Sequence, residues 1–101
     1  MKIHFPNGFR MNINNFLRKA GYSVAYHSKT GRINYIRRIT TDLYPHYHIY
    51  VEKNIEGQNY LTLHLDQKRP SYKGSLAHSG EYNGKVVESE FKRILRLIHE
   101  Y

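Results

Sequence analysis

Cysteine is absent from the 101 residues. That excludes disulfides, zinc–thiolate sites and a cysteine nucleophile, and fits any compartment. No apolar run is long enough to span a membrane. The first residues, Met1-Lys2-Ile3-His4-Phe5-Pro6, lack the apolar stretch of a signal peptide, so a cytoplasmic protein is expected. Acid is missing from the first part of the chain. Between Met1 and Thr41 stand eight basic residues, Lys2, Arg10, Arg18, Lys19, Lys29, Arg32, Arg37 and Arg38, and no Asp or Glu. From Asp42 onward eight basic residues balance eight acidic ones, so the whole formal net charge of +8 arises before Asp42. Also missing are a Gly-x4-Gly-Lys-Ser/Thr phosphate loop, a Gly-x-Ser-x-Gly nucleophile turn and the paired carboxylates of glycosidases. Internal repeats and low-complexity tracts are absent too.

What is present suits one folded domain spanning residues 1–101. Hydrophobic residues make up 40% of the chain, enough for a modest single core. Ile13, Phe16, Leu17 and Ala20 recur at helical spacing and predict a helix over 12–20, capped by Asn12 and ended by Gly21. Residues 22–28 and 32–39 alternate with period two around a Lys29-Thr30-Gly31 turn and predict a hairpin. In the second of these strands Ile33, Tyr35, Arg37 and Ile39 share a face. Pro45 opens the next strand, where a missing N–H is tolerated. A second hairpin covers 46–66. Residues 67–85 read as a long polar loop with Pro70, Gly74, Gly80 and Gly84. A helix over 86–100 carries the stripe Val87, Phe91, Ile94, Leu95 and Ile98, with Glu88 and Glu90 early and Lys92, Arg93 and Arg96 later, matching the helix dipole. The expected fold class is α+β: a two-layer sandwich, with an antiparallel sheet of about four strands flanked by an N-terminal and a C-terminal helix.

The second hairpin carries the chemistry. Side chains on a strand alternate between faces. Tyr47, Ile49 and Val51 therefore share a core face with Leu61, Leu63 and Leu65. The other face holds His46, His48 and Tyr50 on one strand and Tyr60, Thr62, His64 and Asp66 on the next. Matching the core faces fixes the register parity, so His48 lies opposite, or diagonal to, His64 or Asp66. Two imidazoles and a carboxylate suffice for a divalent metal with open coordination positions, and His78 and Glu81 extend the candidate ligand set to His48, His64, Asp66, His78 and Glu81. Without metal, His48, His64 and Asp66 are the candidate catalytic groups, an imidazole serving as general base near neutral pH. The ordinary alternative is a set of hydrogen-bonded surface residues.

The same face suits nucleic acid. Exposed Tyr50 and Tyr60 can stack bases while Arg37 or Arg38 on the neighbouring strand meets phosphate. Arg18 and Lys19 end the first helix. Lys68, Arg69 and Lys73 lie in the basic loop Lys68-Arg69-Pro70-Ser71-Tyr72-Lys73-Gly74 and fit phosphate contact. Ten tyrosines make some exposed rings unavoidable in any chain of this composition.

Three resemblances bear on these residues. His46-Tyr47-His48 resembles the His-hydrophobic-His motif of HUH-type endonucleases, which implies a metal beside a tyrosine nucleophile; the available tyrosines are Tyr72, Tyr82 and Tyr101. The segments Tyr44-Pro45-His46-Tyr47-His48-Ile49-Tyr50-Val51, Leu63-His64-Leu65-Asp66-Gln67-Lys68 and Ala77-His78-Ser79-Gly80-Glu81-Tyr82 resemble an uncharacterised family of small proteins from genome-reduced, mostly uncultivated bacteria. That family implies no activity. Its members often carry arginine at the position of His46, which weights His48, His64, Asp66, His78 and Glu81 above His46 as ligands. More loosely, Leu17-Arg18-Lys19-Ala20-Gly21-Tyr22 is similar to a run preceding the first strand of HicA-type RNA-cleaving toxins. Those toxins and double-stranded RNA-binding domains place a three-stranded sheet between two helices. The likeness is one of fold, and His48 matches the toxin histidine by position only.

The leading expectation is a nucleic-acid-binding protein, RNA favoured, using the basic N-terminal part and the His/Tyr face. The alternatives are a phosphodiester hydrolase centred on His48, His64 and Asp66, metal-dependent or not, and a protein-interaction module that uses the long loop. The sequence leaves open whether the chain is an enzyme.

Overall fold

Asn12 starts the first helix as expected: its side chain accepts a 3.0 Å hydrogen bond from the Asn15 amide, and helix α1 runs Ile13–Lys19. Gly21 ends it at φ +101°, a left-handed conformation that only glycine adopts without strain. The computed structural model describes residues 1–26, 30–67 and 79–101, and the side chains of residues 79–83 lie outside the description. The strands are β1 (Lys2–His4), β2 (Ser23–Tyr26), β3 (Ile33–Arg38), β4 (His46–Lys53) and β5 (Asn59–Asp66), and helix α2 spans Ser79–Glu100. They form one sheet in the order β1-β5-β4-β3-β2, with every pair antiparallel. The fold is thus α+β, as the periodicities predict.

Both helices bury their apolar stripes on the same sheet face. Phe16 and Leu17 of α1 and Ile94 and Ile98 of α2 join Ile3, Tyr35, Tyr47, Ile49, Leu61 and Leu63 in a single cluster. Each fully buried Leu or Ile contributes about 1.5–3 kcal/mol. The β4–β5 turn is held by Asn54, whose Oδ1 accepts from the amides of Glu56 and Gln58, both at 2.9 Å. This Asx-type turn fixes the register that aligns the two polar strand edges.

Three features differ from expectation. The sheet has five strands rather than about four. The added β1 has three residues, too few for periodicity to reveal, yet Ile3 is 1% exposed in the core. Helix α2 begins at Ser79 rather than near residue 86. Gly80 and Gly84 lower helix propensity there, and the apolar stripe starts only at Val87, so the pattern understates the helix. Lastly, Glu90 is not a solvated dipole partner: it is 3% exposed. Its carboxylate accepts from Tyr22 Oη at 2.7 Å and from Arg93 Nε and Nη2, both at 2.8 Å, with Arg37 Nη1 at 3.4 Å. Arg93 Nη2 also donates to the Ala20 carbonyl at 2.7 Å, tying α2 to the end of α1.

Candidate nucleic-acid interface

The sheet face opposite the helices carries the even-numbered residues of β4 and β5, and among the described residues no helix packs on it. The register sets their rows. His48 lies directly across from His64, His46 from Asp66 and Tyr50 from Thr62. On the flanks, β3 brings Arg38 beside His46 and Ile36 beside His48. On the other side β1 brings Lys2 beside Thr62 and His4 beside Tyr60.

The rings on this face touch in sequence. Leading into and along β4, Tyr44 meets His46 with centroids 4.8 Å apart, His46 meets His48 at 6.2 Å, and His48 meets Tyr50 at 5.5 Å. Across to β5, His48 and His64 stand edge to face at 5.1 Å. His4 and Tyr60 make a second group at 5.4 Å. Cations cover the two tyrosines: Arg32 lies 4.3 Å above the Tyr50 ring and Lys2 Nζ 5.4 Å from that of Tyr60. Each of the two carboxylates described on this face has a neighbour. Glu52 accepts from Arg32 at 2.6 Å, and Asp66 faces His46 Nε2 at 3.5 Å. Between Tyr50, Tyr60 and Lys2, the buried Thr62 hydroxyl has no hydrogen-bond partner among the described residues.

The histidines differ in environment. His46 is 4% exposed, and its Nδ1 lies 2.9 Å from the Leu43 carbonyl, so both ring nitrogens face oxygen acceptors. It is a structural residue, not the solvated partner of His48 that the His-x-His spacing suggests. His64 is exposed at the sheet surface. Desolvation where its ring packs, and secondarily the Met1 ammonium, hold its imidazole below the ordinary value near 6.5, against a smaller opposing pull from Glu52.

The candidate residues therefore separate. His48, His64, Tyr50, Tyr60 and Arg38 share the open face, with Asp66 one row away and paired to His46. Arg37 does not join them: it occupies the helix-covered face, 5.9 Å from the Tyr47 ring and ion-paired with Glu90. Its odd number puts it on the opposite side from Arg38. Arg18 and Lys19 sit on α1, in the helical layer, with Lys19 Nζ 5.7 Å from the Tyr101 ring. Lys68, Arg69, Lys73 and His78 lie outside the described residues, as does the side chain of Glu81. Among the described residues no group of three or more His, Asp and Glu side chains is placed to hold a metal ion. His48 and His64 are brought together, but Asp66 turns to His46.

Residue typing alone misses Lys2, His4 and Arg32 as members of this face. The first two belong to the unpredicted β1. Arg32 precedes β3, yet its place in the acid-free stretch and its parity with Arg38 are visible in the sequence. No described helix is long and apolar enough to cross a membrane. The chain matches no protein-family model, no curated protein and no solved structure.

Proposed function

We propose that the chain binds single-stranded nucleic acid, RNA foremost, across the open face of its sheet. The observation that carries this reading is the run of touching rings on β4 and β5, covered at Tyr50 and Tyr60 by Arg32 and Lys2. Unpaired bases stack on such rings for about 1–3 kcal/mol each, while neighbouring cations meet the phosphates. Tyr50, Tyr60, His4 and His48 offer ring surface, and Lys2 and Arg38 offer charge, Arg32 being paired with Glu52. Glu52 is ion-paired with Arg32, and Asp66 lies 3.5 Å from His46 Nε2. The test is fluorescence anisotropy with a single-stranded RNA and its duplex, at low and raised salt. Single strands should bind more tightly, and Tyr50→Ala and Tyr60→Ala should each weaken binding by about 1–3 kcal/mol. No binding at low salt, or binding indifferent to both substitutions, removes the proposal.

A second reading rests on the 5.1 Å contact between His48 and His64. Two imidazoles suffice to cleave RNA without metal. Neutral His64 takes the proton from a ribose 2′-hydroxyl, the 2′-oxygen bonds to the adjacent phosphorus, and the P–O5′ bond breaks. Protonated His48 gives its proton to the departing 5′-oxygen, leaving a 2′,3′-cyclic phosphate and a 5′-hydroxyl. The lowered proton affinity of His64 suits the base role.

A further inference from the structure

At one end of the sheet a cleft of about 1150 Å³ opens between the segment following β1, the start of α1 and the β4–β5 turn. Its volume exceeds the usual range for small-molecule sites, roughly 300–1,000 Å³, so a nucleotide with its ribose and phosphate fits. The lining has a distinct chemistry. Aromatic and aliphatic side chains, among them Phe5, Phe9, Ile33 and Tyr35, supply apolar surface, and amides supply the polar groups. Among the described residues that line it, none is acidic. Some amides are spent on the fold: Asn14 Oδ1 accepts from Tyr35 Oη at 3.1 Å, and Asn54 Nδ2 donates to Gln58 Oε1 at 3.1 Å. The amides of Asn7 and Asn59 make no hydrogen bond among the described residues, and each offers a donor and an acceptor side by side.

The cleft is continuous with the open face. His4 and Arg32 belong to both: they line the cleft, and on the face they contact Tyr60 and Tyr50 respectively. A single strand stacked on the two tyrosines has its next nucleotide at this rim. Stacking on tyrosine is indifferent to base identity, because every base has a π-face. Amides are not indifferent, because a side-chain carboxamide matches the adjacent donor and acceptor of adenine.

Building on the single-strand reading, we propose that this cleft is a base-reading pocket, which takes an adenine nucleotide turned over the sheet end and reads it with the Asn7 and Asn59 amides. The open face supplies affinity and the cleft supplies preference. The same chemistry would recognise free adenosine monophosphate, so the test includes it.

The experiment measures anisotropy of labelled oligo(A), oligo(U) and oligo(C) ribonucleotides with the full chain, with an Asn7→Ala/Asn59→Ala double variant and with Ile33→Trp. Ile33 is 46% exposed in the cleft, so the larger ring fills space without entering the core. The full chain should prefer oligo(A) about tenfold or more, the discrimination one good amide–base pair provides. Both variants should reduce that preference towards one while retaining oligo(U) binding. Adenosine monophosphate should compete only weakly, lacking the stacked neighbours. Three results overturn the inference and leave single-strand binding standing. They are equal affinity for all three oligomers, a preference that survives both variants, or free nucleotide binding as tightly as oligo(A). Failure of every oligomer to bind overturns both readings.

Discussion

The Tyr22 hydroxyl donates a 2.7 Å hydrogen bond to Glu90 Oε2 across 68 residues of sequence, inside the layer between sheet and helices. Both side chains are 3% exposed. Arg93 clamps the same carboxylate with two 2.8 Å bonds. Removing the acid leaves Arg93 without its main partner and the Tyr22 hydroxyl without an acceptor. Glu90→Ala should therefore cost about 3–5 kcal/mol, and Tyr22→Phe about 1–2 kcal/mol, by urea denaturation. A Glu90→Ala loss below 1 kcal/mol would mean the network is not tight in solution.

The same pair sets an alkaline limit. Burial, and then the Glu90 charge, raise the Tyr22 pKa well above its ordinary value near 10. Below about pH 10 the phenol is protonated in both folded and unfolded chains, and the stability it contributes is fully present. Above that pH the unfolded chain releases this proton and the folded one keeps it. Stability then falls with pH by about 1.4 kcal/mol per unit from this group. Subtracting the profile of Tyr22→Phe from that of the unaltered chain isolates Tyr22 from the other tyrosines. Parallel profiles between pH 9 and 11 would contradict the burial of the phenol.

Leu63 tests the layer that carries the site. It is 1% exposed on β5, which lies inside the sheet between β1 and β4. Leu63→Ala should cost about 2–5 kcal/mol through lost burial and the cavity left behind. A shift under half a kcal/mol in chemical denaturation would place Leu63 outside the core.

Period-two alternation makes much of this legible in the sequence. It separates Ile49, Leu61 and Leu63 from His48, Tyr50 and His64, and the Asn54 turn then fixes His48 opposite His64. Helix α1 is legible because Asn12, its apolar spacing and Gly21 agree. Strand β1 is not, because three residues carry no period. Glu90 is not, because burying a carboxylate depends on Tyr22 and Arg93, distant partners that local pattern cannot supply. The same limit applies to Arg37. Its parity with Tyr35 already puts it on the apolar side, but its attraction to a buried acid becomes visible only when α2 is docked. His46 shows the converse: equal spacing made it the twin of His48, whereas the Leu43 carbonyl and Asp66 occupy it.

The two neighbouring arginines of β3 give a sharp test of the open face. Arg38 is exposed there beside His46, whereas Arg37 is ion-paired with Glu90 under the helices. Arg38→Ala should lower the slope of log affinity against log salt by about one and weaken RNA binding. Arg37→Ala should leave that slope unchanged and lower stability by about 1 kcal/mol or less, since Arg37 is partly solvated and Arg93 still holds Glu90. The reverse pattern would move the nucleic acid to the helical side of the molecule.

His48 and His64 decide between binding and chemistry. Cleavage by two imidazoles needs the ribose 2′-hydroxyl and no metal. The expectation under that reading is therefore scission of RNA in the presence of a chelator, with DNA of the same sequence bound but intact. The products should end in 2′,3′-cyclic phosphate. His64→Ala and His48→Ala should each slow cleavage by about 10²–10⁴-fold, the usual worth of a positioned proton-transfer group. The pH profile carries a further sign. His64 must be neutral to accept the proton, and its pKa lies below the ordinary 6.5. The acid limb of the rate should therefore fall below that pH, and activity should persist in mildly acidic buffer where an unperturbed imidazole is half protonated. Folding follows the same sign. The unfolded chain takes up this proton at a higher pH than the folded one, so the imidazole favours the folded state less as pH drops below 6.5. Stacking against His48 makes a third outcome distinct. If RNA binds, survives intact with and without added divalent metal, and loses affinity in His48→Ala, the pair is a stacking surface and the hydrolase reading falls while single-strand binding stands.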